Sequence, residues 1–258
     1  MLRSLLEKLS RGRIVRRRLP PGLGGAALFV SPDAALKLWK RDLSQADPLL
    51  LRLAAELVTP GAAVWDVGAN VGLFAFAAAH YAGPGGRVLA VEADDWLAAL
   101  VRRSAATAGP AYAPVEVLAA AVADRPGIAE LGIAGRGRAG NHLLSVPGSS
   151  QTGGRRETRK VVTVTLDGLL DWFPAPRLVK IDVEGAEALC LQGAGRLLRE
   201  VRPVLVCEVT AENSAAVGDL LRHRGYVLFD AAAAPELRRP LAAPAWNTLA
   251  VPDVPSEP

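Results

Sequence analysis

Cysteine is nearly absent: Cys190 and Cys207 are the two in 258 residues. Two thiols cannot build a disulfide framework or a four-cysteine zinc site. Aromatic residues make up only 5% of the chain. The tryptophans (Trp39, Trp65, Trp96, Trp172, Trp246) are scattered, so no stacking platform for nucleobases is expected. No apolar run approaches the roughly 20 residues of a membrane-spanning helix. The opening stretch MLRSLLEKLSRGRIVRRR has no continuous apolar segment, so a secretory leader is not expected and a cytoplasmic location is. There is no internal repeat.

Hydrophobic residues at 50% and charged residues at 22% describe an ordinary globular chain and exclude wholesale disorder. The net charge of +4 is unevenly placed. Residues 1–18 hold seven basic side chains (Arg3, Lys8, Arg11, Arg13, Arg16, Arg17, Arg18) against Glu7, which is +6, so the other 240 residues sum to −2. Leu2, Leu5, Leu6 and Leu9 recur at helical spacing ahead of the arginines. The arm therefore reads as a peripheral contact for a membrane surface or a partner subunit, and the weakly acidic body argues against nucleic acid.

The chain divides into an arm with a hairpin over residues 1–46 and one domain over residues 47–258. AALFV (26–30) and ALKLW (35–39), flanking Ser31-Pro32-Asp33, predict the hairpin. Asp47-Pro48 opens a helix. From residue 63 strands and helices alternate: AVWDVG, GLFAFAAAHYA, RVLAVEA, DWLAALVRRSAA, VEVLAAAV, then LVKIDV, GAEALCLQGAGRLLREV, PVLVCEV and NSAAVGDLLRHRG. Near-continuous apolar strands in such an order mean a parallel sheet covered on both faces. YVLFD and NTLAV close the chain as an antiparallel pair. IAELGI (128–133) and VVTVTL (161–166) are added strands, and residues 135–160 between them, rich in Gly, Ser and Arg, predict a mobile lid.

The turn Asp66-Val67-Gly68-Ala69-Asn70-Val71-Gly72 joins a strand to a helix, and Glu92 ends the next strand, where a carboxylate can accept from ribose hydroxyls. A dinucleotide site needs G-x-G-x-x-G for its pyrophosphate. Here Asn70 occupies the point of closest approach and Asp66 would repel phosphate. Asp66 suits an ammonium group instead, directly or through the loop it orients. S-adenosylmethionine carries an ammonium and a ribose and lacks phosphate. Further along, Lys180-Ile181-Asp182-Val183-Glu184-Gly185-Ala186-Glu187 places acids at a later strand exit, where open α/β sheets bind ligands. Glu187 reads as a solvent-facing acid of a first helical turn.

WDVGANVGLFAFAAA, RVLAVEA, VTVTLDGLL, LVKIDVEGAEALCLQGA and RPVLVCEV together resemble the FkbM family of S-adenosylmethionine-dependent methyltransferases, over about residues 60–210. The resemblance implies a class I methyltransferase fold: a Rossmann-like, seven-stranded, mostly parallel sheet with an antiparallel last strand and helices on both faces. It implies O-methylation of a small molecule, a sugar or a polyketide-type natural product. By position, Asp66, Gly68, Ala69, Asn70 and Gly72 would form the methionine-side loop. Glu92 and Ala93 would stand at the ribose. Ala121 and Val122 would flank the adenine, with Asp124 close by. Asp182 and Glu184 would lie near donor and acceptor. Ala93 stands where proline is expected and Ser104 where asparagine is usual.

An alcohol acceptor loses a proton, so a general base helps. His142 in the insert and Asp182 are the candidates, while His80 and His223 fall on helix surfaces. A divalent metal would find oxygen ligands in Asp182, Glu184 and Glu208. Cys190 and Cys207 belong to the core. Two other readings remain at this point: an RNA methyltransferase using the basic arm, and a non-catalytic relative acting as an assembly protein.

Overall fold

The computed structural model describes residues 6–7, 9–146 and 153–253. In chain order the strands and helices are β1 (Val15–Arg18), β2 (Ala27–Val30), α1 (Pro48–Leu57), β3 (Ala63–Val67), α2 (Leu73–Ala82), β4 (Arg87–Glu92), α3 (Asp95–Ala105), β5 (Val115–Ala119), β6 (Ala121–Val122), β7 (Gly127–Ala134), β8 (His142–Leu143), β9 (Arg155–Val164), α4 (Leu166–Leu169), β10 (Leu178–Ile181), α5 (Glu187–Gln192), β11 (Val204–Glu208), α6 (Ser214–His223), β12 (Tyr226–Asp230) and β13 (Asn247–Pro252).

The main sheet has seven strands in the order β12-β13-β11-β10-β3-β4-β5. β13 runs antiparallel to both neighbours, and the pairs from β11 to β5 are parallel. This is the class I methyltransferase sheet that the sequence implies. Successive residues of each strand feed opposite faces. Val64, Ala90 and Leu178 pack under α1, α2 and α3, whereas Trp65, Val91, Val179 and Cys207 pack against α4, α5 and α6. The sheet is thus buried on both sides, which is why its strands read as unbroken apolar runs.

Several boundaries differ from the sequence reading. The hairpin over 26–39 does not form. Leu36–Trp39 is a 3-10 turn, and β2 pairs instead with β1, Val15 opposite Val30 and Arg18 opposite Ala27. The Arg17 guanidinium donates to the Trp39 and Lys40 carbonyls and holds the 3-10 turn across β1. Leu19, Leu23, Leu28, Leu38 and Leu43 join the core beneath α1–α3, so most of residues 1–46 packs as part of the domain. The predicted first helix lies partly outside the described residues, which exclude Leu2, Leu5 and Lys8. Leu6, Glu7, Leu9 and Ser10 are helical.

VEVLAAAV is two strands. β4 ends at Glu92, so β5 has no neighbour beyond Ala119, and Ala121–Val122 turn away to pair with β9. The helix predicted over 185–201 breaks at Gly193, where a side-chain carbon would stand 2.4 Å from the Ala123 carbonyl oxygen, and resumes as a π turn at Leu197–Val201. Residues 155–160 of the expected lid are strand: β9 pairs antiparallel with β7 along its length. Its Arg, Glu and Lys side chains face solvent or neighbouring acids, which hid the period-two pattern. No helix among the described residues is long and apolar enough to cross a membrane.

Candidate active site

One cavity of about 280 Å³ opens at the carboxyl ends of β3, β4, β10 and β11. The glycine turn, Glu92 and Ala93, Ala120–Val122, and Asp182 to Glu184 line it from the sheet. Lys37, Leu38, Asp47 and Leu50 line it from the N-terminal segment, and Arg138, Ala139, Asn141 and His142 from the insert. Gly68, Ala69, Asn70, Glu92, Ala93, Ala121, Val122, Asp182, Glu184 and His142 are therefore brought together. Asp66 and Gly72 sit behind the wall. Asp124 does not line the cavity; its carboxylate lies 3.8 Å from Arg125.

The turn is shaped by left-handed backbone at Gly68 (φ 74°), Asn70 (φ 53°) and Gly72 (φ 82°). At Gly68 the requirement is absolute, because a side-chain carbon would fall 1.8 Å from the Asp182 carbonyl oxygen. Glu92 ties this turn to the next helix: it accepts from the Asn70 N–H at 2.7 Å and the Asp94 N–H at 2.9 Å. Asp94 in turn caps α3 by accepting from the Trp96 N–H. Burial nevertheless pushes the Glu92 pKa up to about 7. Ser104, where asparagine was anticipated, accepts from the Phe29 N–H at 2.8 Å and so joins α3 to β2.

Lys180 is the organising cation, and its role was missed in the sequence. It is a lone ammonium in the buried strand β10, in register with Asp66 of β3. Its Nζ lies 3.2 Å from Asp66, 3.3 Å from Asp182 and 2.9 Å from the Gly68 carbonyl oxygen. Burial works against its charge, but Asp66 and Asp182 outweigh that and raise its pKa. Asp66 is fully buried, and desolvation lifts its pKa despite Lys180. A single charged residue in an otherwise apolar strand was the available signal, since such a residue is almost never buried unpaired.

Beyond Lys180 the floor is acidic. The carboxylate oxygens of Asp182, Glu184 and Glu208 lie within 4.8 Å of one another. Burial, reinforced by the charges of Asp182 and Glu208, pushes Glu184 up to about 8. Burial, then Asp182, pushes Glu208 up to about 7. Three hard oxygen donors of this kind suit a divalent cation such as Mg²⁺. Glu187 corrects the expectation of a solvent-facing acid: it is 1% exposed, accepting from the Gly185 N–H at 2.8 Å and from Asn213 Nδ2 at 2.6 Å. It fastens the tight turn that aims Glu184, whose own φ is 50°. Cys190 and Cys207 are buried, as anticipated, and Asp167 of the T-L-D motif accepts from the Arg196 and Leu197 N–H groups, a role in folding.

The lining also fits an adenosyl sulfonium better than a phosphate. The one ammonium at the glycine turn is already shared among Asp66, Asp182 and Gly68. Asn70 Oδ1 is buried without a hydrogen-bond partner, an acceptor that a ligand ammonium or hydroxyl would satisfy.

Comparison with known proteins places these features in context. The methyltransferase FkbM domain matches residues 66–228. No curated protein matches the chain. Among solved structures, methyltransferase FkbM from Methylobacillus flagellatus KT is similar at 16% identity and TM-score 0.43, over 78% of this chain and 50% of that one. Precorrin-6y C5,15-methyltransferase from Geobacter metallireducens GS-15 is similar at 14% identity and TM-score 0.44, over 80% of this chain and 86% of that one. An S-adenosylmethionine-dependent O-methyltransferase from Thermotoga maritima is similar at 15% identity and TM-score 0.43, over 81% and 66%.

Proposed function

The chain belongs to the FkbM methyltransferase family, and from that premise we propose that it moves a methyl group from S-adenosylmethionine to a hydroxyl of a small molecule, of sugar or polyketide type. The carrying observation is the cavity that joins the glycine turn, Glu92, Ala121 and Val122 to the acids at the exits of β10 and β11. In this reading Asn70 and the turn receive the methionyl end. Glu92 accepts from ribose hydroxyls with the lone pairs its two backbone donors leave. Ala121 and Val122 flank the base, with Ala93 beside the ribose. Asp66 acts from behind, through Lys180 and the Gly68 carbonyl that Lys180 holds.

The bound cofactor supplies a positively charged sulfonium with a good leaving group, so the chain's task is to orient the acceptor and exclude water. In this reading the N-terminal segment and residues 138–142, which line the cavity together with the acids, provide that exclusion. Asp182 and His142 are the groups placed to take the hydroxyl proton. Donation from His142 Nδ1 to the Gly140 carbonyl, 3.2 Å away, leaves Nε2 as the lone-pair nitrogen, the form a base requires. Asp182, Glu184 and Glu208 would hold a divalent cation, which would lower the pKa of a hydroxyl bound beside them.

Calorimetry with S-adenosylhomocysteine tests the cofactor half: micromolar binding or tighter, about −8 kcal/mol, is expected. Transfer of a labelled methyl group to hydroxyl-bearing small molecules, with and without Mg²⁺, tests the rest. A protein that binds no S-adenosylhomocysteine would overturn the reading.

A further inference from the structure

The roof of the cavity is held by charge rather than by apolar packing. Among residues 138–140, Arg138, Ala139 and Gly140, none is buried. Gly135 and Gly137 precede this stretch and Gly140 ends it. Its anchors are polar. Arg138 Nε lies 3.1 Å from Asp33, its Nη1 is paired with Asp94, and its guanidinium stacks over the Trp96 ring at 4.6 Å. Asn141 Nδ2 donates to Asp94 at 2.9 Å. The Arg138 and Ala139 N–H groups donate to the Asp33 and Ala34 carbonyls at 2.8 and 2.9 Å. Asp33 also receives Arg156 at 3.0 Å, and Asp33 and Asp94 are 2% and 0% exposed.

These contacts end on the cofactor side of the cavity. Asp94 offers its N–H to Glu92, and Glu92 accepts from the Asn70 N–H. A continuous path therefore runs from Asp33 through Arg138 and Asp94 to Glu92 and the glycine turn. The roof and that turn line the same cavity, so a ligand filling the cavity meets both.

We propose that Asp33, Arg138 and Asp94 form a clasp that governs cofactor exchange, with Arg138 the positioning residue that holds both the roof and, through Asp94, the Glu92 carboxylate. A segment held by few apolar contacts opens at low free-energy cost compared with the core. Buried guanidinium–carboxylate pairs set that cost here, and a side chain that bridges two carboxylates, through Nε to Asp33 and Nη1 to Asp94, calls for the several donors of arginine. Opening the roof then breaks Arg138 from Asp94 and loosens Glu92 in the same movement. Occupancy of the cavity and closure of the roof reinforce one another.

The inference rests on the reading that this cavity binds S-adenosylmethionine, and one set of measurements separates the two. Stopped-flow fluorescence of Trp96, beneath Arg138, follows release of S-adenosylhomocysteine from wild type, Arg138→Ala, Arg138→Lys and Asp33→Asn, with the melting temperature of each recorded. Arg138→Ala is expected to speed release by about tenfold, within the range of ordinary coupling between sites. Arg138→Lys is expected to recover part of the loss, since lysine restores the charge but lacks the separate Nε and Nη1 donors with which Arg138 reaches Asp33 and Asp94 at once. Asp33→Asn, which keeps Asp94 paired, is expected to fall between and serves as the test if Arg138→Ala does not fold. A purely architectural role predicts lower melting temperatures with unchanged release, and release within twofold of wild type in both Arg138→Ala and Asp33→Asn overturns the clasp. Absence of binding by the wild-type protein overturns the cofactor reading itself, and the clasp with it.

Discussion

At the strand exits below the cavity, charge is locked inside the sheet; at the roof above it, charge is the lock. Lys180 of β10 is in register with Asp66 of the adjacent parallel strand β3, and Asp182 stands just past the end of β10, so the sheet already places all three. Arg138 meets Asp33 and Asp94 only because three segments distant in sequence converge. The first arrangement has no freedom to open without unfolding the sheet. The second can be undone by moving a short glycine-flanked segment. A buried ion pair is thus a framework element or a releasable fastening according to what carries it, since its own net contribution to stability is small when both partners are present.

Removing Lys180 should give the largest effect. Lys180→Met leaves Asp66 buried without a counter-charge, and a loss of about 3–5 kcal/mol is expected in urea unfolding. Arg138→Ala should cost clearly less by the same measurement, because Arg156 and Asn141 still serve the orphaned carboxylates. Equal losses would erase the distinction between floor and roof.

Asp182→Asn should lower methyl transfer by about 10²–10⁴, the usual worth of a positioned base, with S-adenosylhomocysteine affinity changed little. His142→Ala discriminates within this pair. If it keeps a near-full rate while Asp182→Asn is dead, the proton goes to the floor, and the roof supplies acceptor contacts only. Glu92→Ala should weaken S-adenosylhomocysteine by about 1.5–3 kcal/mol, as for hydrogen bonds to a charged group, which calorimetry reads directly.

The floor should also make stability depend on pH. The folded pKa values of Glu92, Glu184 and Glu208 are raised to about 7, about 8 and about 7. Between the usual glutamate value and these, the folded state holds protons that the unfolded chain has released, so stability falls as pH rises. The melting temperature of the unliganded protein should therefore drop from about pH 5 to about pH 8, and Glu184→Gln should flatten the slope. A flat wild-type profile would mean that the floor acids are already neutralised by charge.

The smallest effect on the cavity should come from the extreme N-terminus. Deleting residues 1–9 should leave S-adenosylhomocysteine affinity unchanged, since the core begins at Leu19. Exposed Arg11, Arg13 and Arg16 beside exposed Leu6, Leu9 and Ile14 make peripheral binding to anionic vesicles the expected role of this end. The deletion should weaken that binding, as should salt.

Much of this protein was determined by sequence alone, wherever the information is local. Alternating apolar runs and helical stretches specified the parallel sheet, because burial on both faces leaves an unbroken hydrophobic strand. The D-x-G-x-N-x-G turn and the K-I-D-V-E-G exit placed the cavity, because glycine and strand-end acids act within a few residues of where they stand. What tertiary structure alone decided is pairing at a distance. β2 chose Val15–Arg18 over its nearer neighbour, Glu187 turned inward to Asn213, and β5 yielded to β6 where β4 ran out. Arg138 found Asp33 and Asp94 across 105 and 44 residues. A guanidinium in a glycine-rich stretch carries no periodicity that names its partner; only the folded surfaces that bury both ends, and the cost of leaving either charge alone there, select it.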